Sequence, residues 1–356
     1  MVGAPSLRAI AFATAVGSAT TQSAPTAAQA PGFVERLRNV TFIGESVASA
    51  RNLSGVVMKD NLLVLVDDEL RGVVVGRRTA PDTYEFGGVV TLKASLPKGN
   101  PKEEFDLEAL AVFGDDIVAV GSHSSVRTSA EGTNRSQSEN RKRQLTVGPR
   151  PDRDGLFRFG ISASGTVSSE ISVSTLRGVI ASDPLIAPFA SAAGKENGVD
   201  IEGLAADATT LWVGFRGPVL RHGYAPVLRV TSVASPKAEA LLLLPLGGRG
   251  IRDIVRTGDG FLLLAGPVGD SDQSEAIYWW NGLDCLAGND SKGEVSLIGH
   301  VQRQSGGRAE GMAVVSAGGD AYELILVFDG VAGGSPGIYR AQKPRPASGA
   351  EVLCRR

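Results

Sequence analysis

Four acidic residues stand at comparable points of a phrase that returns along the chain. Glu108 lies in Asp106-Leu107-Glu108-Ala109-Leu110, Glu202 in Asp200-Ile201-Glu202-Gly203-Leu204, Asp253 in Ile251-Arg252-Asp253-Ile254, and Glu310 in Ala309-Glu310-Gly311-Met312. Carboxylates gathered from separate copies supply the oxygen ligands that a hard cation such as calcium takes, so Glu108, Glu202, Glu310 and Asp253 form a candidate metal set. Placed beside Arg and His, they also suit acid–base hydrolysis of a phosphoester or lactone. For that chemistry the catalytic candidates are His123, Glu202 and Glu310, with Arg216, Arg221 and His222 binding the anion. A structural role competes with both: a Glu opening an inner strand can accept backbone N–H bonds from the next strand set, and the following Gly lets crowded backbones approach. No H-E-x-x-H, G-x-S-x-G, Walker A or calcium-loop pattern is present to decide among them.

The elements that must position these residues follow from what comes after each phrase. A polar turn leads into an apolar, β-branched run: Leu62 to Val66, Ile117 to Val120, Leu211 to Val213, Phe261 to Leu264 and Leu324 to Phe328. Counting a weaker copy at Leu53-Ser54-Gly55, five units result, each with room for four strands. The fold class read from this is all-β, a five-bladed β-propeller of four antiparallel strands per blade. The fifth unit lacks a fourth strand, and the spare strand Val40 to Gly44 is expected to complete it and close the ring. Six blades is the alternative, with the extra one between Ser162 and Gly198. In this geometry strand-1 starts, strand-2 ends and the 2-to-3 loops share one face, so the candidate residues line an axial funnel.

The phrases Asp200-Ile201-Glu202-Gly203-Leu204-Ala205 and Glu310-Gly311-Met312-Ala313, with the strand Leu63-Val64-Leu65-Val66-Asp67-Asp68-Glu69, resemble an uncharacterised family of secreted bacterial propellers, a domain of unknown function. More distantly the chain is similar to the esterase-like phytase and SdiA-regulated propeller groups, which carry E-G-[LIM] at inner strands. The resemblance spans roughly Leu53 to Arg340 and implies a propeller fold. Ser54, Asp253 and Ala109 depart from the pattern and leave a complete ring of carboxylates in doubt.

Bulk properties narrow the setting. A formal net charge of −2 over 356 residues argues against nucleic acid as the partner, because phosphate binding needs clustered Lys and Arg. Residues 1–30 carry Arg8, the apolar run Ala9 to Val16 and an Ala28-Gln29-Ala30 ending, the parts of a secretory leader. The expected organisation is a leader at 1–30, one propeller at 31–343 and a tail at 344–356, with no membrane span in the mature chain. Periplasmic or secreted localisation makes Cys285 and Cys354 a candidate disulfide. The stretch Ser129 to Gln144 reads as a solvated loop, or as a lid or partner-binding arm. The functional reading is an exported, monomeric propeller that binds a small anionic or metal-linked ligand, with calcium as the candidate cofactor and phosphoester hydrolysis as the candidate reaction. The alternative is a non-catalytic envelope scaffold that recognises a protein or glycan.

Overall fold

The computed structural model describes residues 32–344 together with Met1 and Cys354, except positions 95, 97, 98, 101, 131–133 and 270. The expected leader, apart from Met1, and most of the expected tail lie outside the described residues. Five antiparallel sheets follow one another around an axis as a five-bladed β-propeller. Blade 1 is built from Leu53–Lys59, Leu62–Asp67, Gly72–Ala80 and Thr83–Phe86. Blade 2 comprises Leu107–Phe113, Asp116–Gly121, Leu156–Ile161 and Val167–Ser174. Blade 3 contains Asp200–Ala206, Thr210–Gly217, Tyr224–Thr231 and Lys237–Pro245, and blade 4 Gly250–Thr257, Gly260–Gly266, Ala276–Trp280 and Val295–His300. Blade 5 has Arg308–Ser316, Ala321–Asp329 and Gly337–Gln342, completed by Glu35–Asn39 from the N-terminal side.

The ring closes as expected but with a different strand. Glu35–Asn39 pairs with blade 5, Glu35 opposite Arg340 and Asn39 opposite Gly337. Of the expected Val40–Gly44 strand, Thr41–Ile43 runs parallel to Thr83–Glu85 on the outer edge of blade 1. The closing segment, Glu-Arg-Leu-Arg-Asn, is half-buried or exposed, so it carries no apolar alternation to advertise a strand. The outer strand of blade 1 is Thr83–Phe86, and beyond it Val90–Thr91 pairs opposite Gly72 and Val73. No sixth blade fills the interval before Gly198. Helix Arg177–Ser182 and 3-10 turns at Ala187–Phe189 and Gly194–Glu196 occupy it.

Apolar side chains weld neighbouring blades. Phe261 of blade 4 lies 4.9 Å, ring to ring, from Trp212 of blade 3 and 4.9 Å from Trp280 of its own blade. Near the axis space is tight: a Cβ on Gly55 would sit 2.7 Å from the carbonyl oxygen of Glu108, so only glycine fits there. Instead of the expected loop over Ser129 to Gln144, a hairpin stem, Ser125–Arg127 with Val147–Pro149, carries helix Gln137–Gln144, whose Ser136 and Glu139 form a capping box.

Cys285, in the loop before the last strand of blade 4, is disulfide-bonded to Cys354. Both are buried, among Trp280, Phe261 and Leu246. Closing a loop with a sequence separation of 69 is worth about 2–4 kcal/mol through the unfolded chain. Reduction should therefore lower stability by that amount in urea titrations, and the Cys285→Ser variant should match the reduced protein; equal midpoints before and after reduction would refute the staple.

Candidate functional site

One feature of backbone geometry aims the axial side chains. In every blade the pairing of strand 1 with strand 2 slips by one residue, between Leu53 and Gly55, Leu107 and Ala109, Ile201 and Gly203, Ile251 and Asp253, and Ala309 and Gly311. A bulge of this kind leaves one residue unpaired and re-aims its side chain. The unpaired residues are Ser54, Glu108, Glu202, Arg252 and Glu310. Glu108, Glu202, Arg252 and Glu310 line a cavity of about 600 Å³ at one end of the axis. On its other side the axis narrows to a largely apolar channel lined by residues such as Leu110, Leu204, Ile254 and Met312. The charged ring thus sits on a low-dielectric floor.

The fourth blade corrects the expected metal set. Arg252, not Asp253, holds its axial position. Asp253 is buried one residue further on, where it accepts N–H bonds from Met312 of blade 5 (2.7 Å) and from Ile254 (2.8 Å). Burial pushes its carboxyl well up. Asp253 therefore performs the blade-fixing task expected of the glutamates. Ser54 performs a similar one by donating to the Leu107 carbonyl of blade 2 at 2.5 Å.

Around the ring, charges alternate. Arg216, from the end of strand 2 in blade 3, contacts Asp200 at 2.7 Å and Glu202 at 2.5 Å. Arg252 contacts the other oxygen of Glu202 at 3.0 Å and is also bound to Glu310. The result is a buried chain, Asp200–Arg216–Glu202–Arg252–Glu310. Burial works against the Arg216 charge, but Asp200 and Glu202 overcome it and hold the guanidinium above its ordinary range. Burial lifts Asp200 to about 7 and Glu310 to about 8, against the opposing pull of Arg216 and Arg252 respectively.

Blade 2 is different. Asp106 accepts from Arg153 at 2.8 Å and from the Ser122 hydroxyl, both on Oδ2. Burial raises its carboxyl, partly opposed by Arg153. Glu108 is 9% exposed and lines the cavity, yet makes no hydrogen bond or ion pair among the described residues. Burial first, then Asp106 and Glu202, hold it well above the ordinary carboxylate range. Asp68, at the end of strand 2 in blade 1, is lifted to about 7 by burial and by Asp106, and its Oδ1 is buried without a partner.

The remaining candidates separate. His123 is fully buried outside the cavity lining. Its Nδ1 lies 2.8 Å from the Gly121 carbonyl and its Nε2 accepts from the Leu176 N–H at 3.0 Å, so the ring is neutral, with the proton on Nδ1. Burial lowers it to about 4, which removes it from proton transfer in the funnel. Arg221 and His222 are exposed in a 3-10 turn and do not line the cavity. Asp68, Asp106, Asp200, Arg153 and Arg252 join the site without having been singled out as its ligands. The doublets Asp106-x-Glu108 and Asp200-x-Glu202 were a visible clue, and so was Ile251 standing where Ile201 does.

A family model described as "Protein of unknown function (DUF3616)" matches residues 52–336. The chain belongs to this DUF3616 family. Its members' shared description names no activity, so the axial geometry carries the functional reading of this DUF3616 protein. No curated protein matches the chain at a significant level. Among solved structures, it is similar to a chain of the S. cerevisiae assembly of a Dbp5 variant bound to Nup159, a Gle1 variant, IP6 and ADP, with 9% identity, 88% of this chain and 98% of that chain covered, and a TM-score of 0.28. It is also similar to apo AztD from Citrobacter koseri, with 13% identity, coverage of 84% and 75%, and a TM-score of 0.31.

Two outcomes follow. Glu202→Gln leaves Arg216 and Arg252 under-neutralised in a buried site and should cost about 3–5 kcal/mol in urea unfolding. Glu108→Gln puts a neutral isostere in place of an acid that has no partner among the described residues and whose carboxyl burial pushes well up, and should, with chelator present, change stability by less than about 1 kcal/mol; equal losses in the two variants would refute this division. For His123 the folded value lies below the ordinary one, so stability drains as pH falls from about 6.5 towards 4, by about 3 kcal/mol in all. Carboxylates with raised values act in the opposite direction, so the readout is the difference between wild type and His123→Gln, which should shrink as pH falls through that window.

Proposed function

We propose that this protein is an exported, monomeric propeller, residues 31–343, whose axial cavity binds a small anionic ligand together with a divalent metal ion. The observation that carries the reading is the make-up of the cavity wall: eight carboxylates against six cationic side chains among the described residues, with the most buried arginines already committed to acids. With all eight acids ionised, an anion alone would meet a surplus of negative charge that only protons or a cation can offset. An anion bridged to a cation would not. The Cys285–Cys354 bond supports an oxidising compartment. No helix among the described residues is long and apolar enough to cross a membrane.

The resemblance to esterase-like phytase propellers supports a phosphoester as the ligand, with calcium as the ion, since the donors on offer are all oxygen. When bound, such an ion polarises a P–O bond and offsets its developing charge. The chain's own part is positioning and proton supply. Lys195 and Arg308 at the cavity wall attract the anion. Glu310 lies on that wall with burial lifting its carboxyl to about 8 against the pull of Arg252; in its protonated form it can give the proton to the leaving oxygen as water adds to phosphorus and the ester P–O bond breaks, the water's own proton passing to solvent. Glu202, gripped on both oxygens, and buried His123 are not placed for that step. The scaffold reading is favoured by one feature: helix Gln137–Gln144 buries none of its side chains and ends beside exposed Leu145, as a partner-binding arm would.

The test is thermal melting of the purified protein with chelator and with calcium, followed by phosphoester turnover. Calcium at about 100 times its Kd should add roughly 2.7 kcal/mol, a shift of several degrees, and Glu310→Gln should retain the shift while losing turnover. No calcium shift and no turnover would leave the scaffold reading in possession.

A further inference from the structure

The two Asp-x-Glu doublets of this chain, Asp106-Leu107-Glu108 and Asp200-Ile201-Glu202, occupy equivalent places in blades 2 and 3, and their pairing makes an internal control. In blade 3, Ile201 lies opposite Phe215, and the next residue, Arg216, inserts its guanidinium between Asp200 and Glu202. In blade 2, Leu107 lies opposite Gly121, and the next residue is Ser122. Its short hydroxyl reaches Asp106 but brings no charge to Glu108. In blade 3 one guanidinium contacts both acids of the pair, whereas in blade 2 Arg153 reaches Asp106 alone and Glu108 has no partner among the described residues.

We infer that a calcium ion binds at Asp68, Asp106 and Glu108, taking in blade 2 the place that the Arg216 guanidinium takes in blade 3. The inference rests on the reading of the axial cavity as a cation-linked site and deepens it by fixing the ion's location. Ligand oxygens of these three residues lie within 4.8 Å of one another, which fits inside the shell of about 5 Å diameter set by Ca–O distances of about 2.3–2.6 Å. Each residue has an oxygen to give. Among the described residues both bonds to Asp106 use Oδ2, Asp68 Oδ1 is buried without a partner, and Glu108 is nine-tenths buried, lines the cavity and bonds to nothing. Three carboxylates less the guanidinium of Arg153 leave two negative charges, those of one divalent ion. The donor set is all oxygen, without imidazole or thiolate, which suits calcium rather than zinc. The open cavity beside it has room for water or a ligand oxygen to complete the coordination shell.

By contrast Glu202, with both oxygens held by arginines, and Glu310, bound to Arg252, have their counter-charges already. The location is therefore testable against theirs. Calorimetric titration of calcium chloride into the full chain should show one site. Glu108→Gln and Asp68→Asn should each weaken it by more than the ~10-fold that loss of even a supporting group costs, while Glu310→Gln stays within about threefold of wild type. Circular dichroism of each variant reports whether it has folded. Calcium binding that survives both Glu108→Gln and Asp68→Asn overturns this location and leaves the cation-linked reading of the cavity standing. A wild-type protein that takes up no calcium overturns both.

Discussion

A charge buried in the wall of this propeller's axis must meet a counter-charge or hold a proton, because the side chains that carry it are buried and the floor beneath them is largely apolar. The axial side chains are arranged to satisfy that rule. Three acids and two arginines from blades 3, 4 and 5 alternate, so that each buried guanidinium touches two carboxylates. The alternation ends at blades 1 and 2, where Asp68, Asp106 and Glu108 face one another with a single arginine among them. The ring therefore has a satisfied side and an unsatisfied side, and the unsatisfied side is where a ligand does for the protein what its own side chains do elsewhere.

The fold produces this arrangement through a repeated irregularity rather than through regular strands. Alternation along an undistorted inner strand would send every second side chain into the contacts between blades. The one-residue slip at the start of each inner strand turns a further side chain to the axis, and blade by blade the chain fills that position with Ser, Glu, Glu, Arg and Glu. Five copies of one backbone device thus carry three kinds of side chain. Blade-to-blade bonds from Ser54 and Asp253 hold the copies in register, so the axial groups are placed by rigid sheet edges and not by loops.

Much of the fold was legible in the sequence because the inner and middle strands are buried on both faces and read as apolar runs. The outer edge was less legible: Glu35–Asn39 closes the ring with a polar, solvent-facing sequence in place of the expected Val40 to Gly44. In the site, Glu108, Glu202 and Glu310 were found by the recurrence of their phrases, and Arg216 by its place at the end of a second strand. Asp253 was misplaced because it was matched by charge, whereas the register matches Arg252 by its place after Ile251. His123 follows a strand that points to the funnel, but its left-handed backbone turns the ring inward, against Leu176, a contact across 53 residues that no local pattern encodes. Helix Gln137–Gln144 has no apolar face, so only its capping box announces it.

The most direct measurement is an anomalous difference map from crystals grown with calcium, recorded at long wavelength. The account predicts one strong peak about 2.3–2.6 Å from carboxylate oxygens of Asp68, Asp106 and Glu108, with Arg216 and Arg252 still paired as they are here. A peak seated between Glu202 and Glu310, with their arginines displaced, would contradict the division of the ring into a neutralised side and an open one. A map with no axial peak in calcium-rich crystals would contradict the cation altogether.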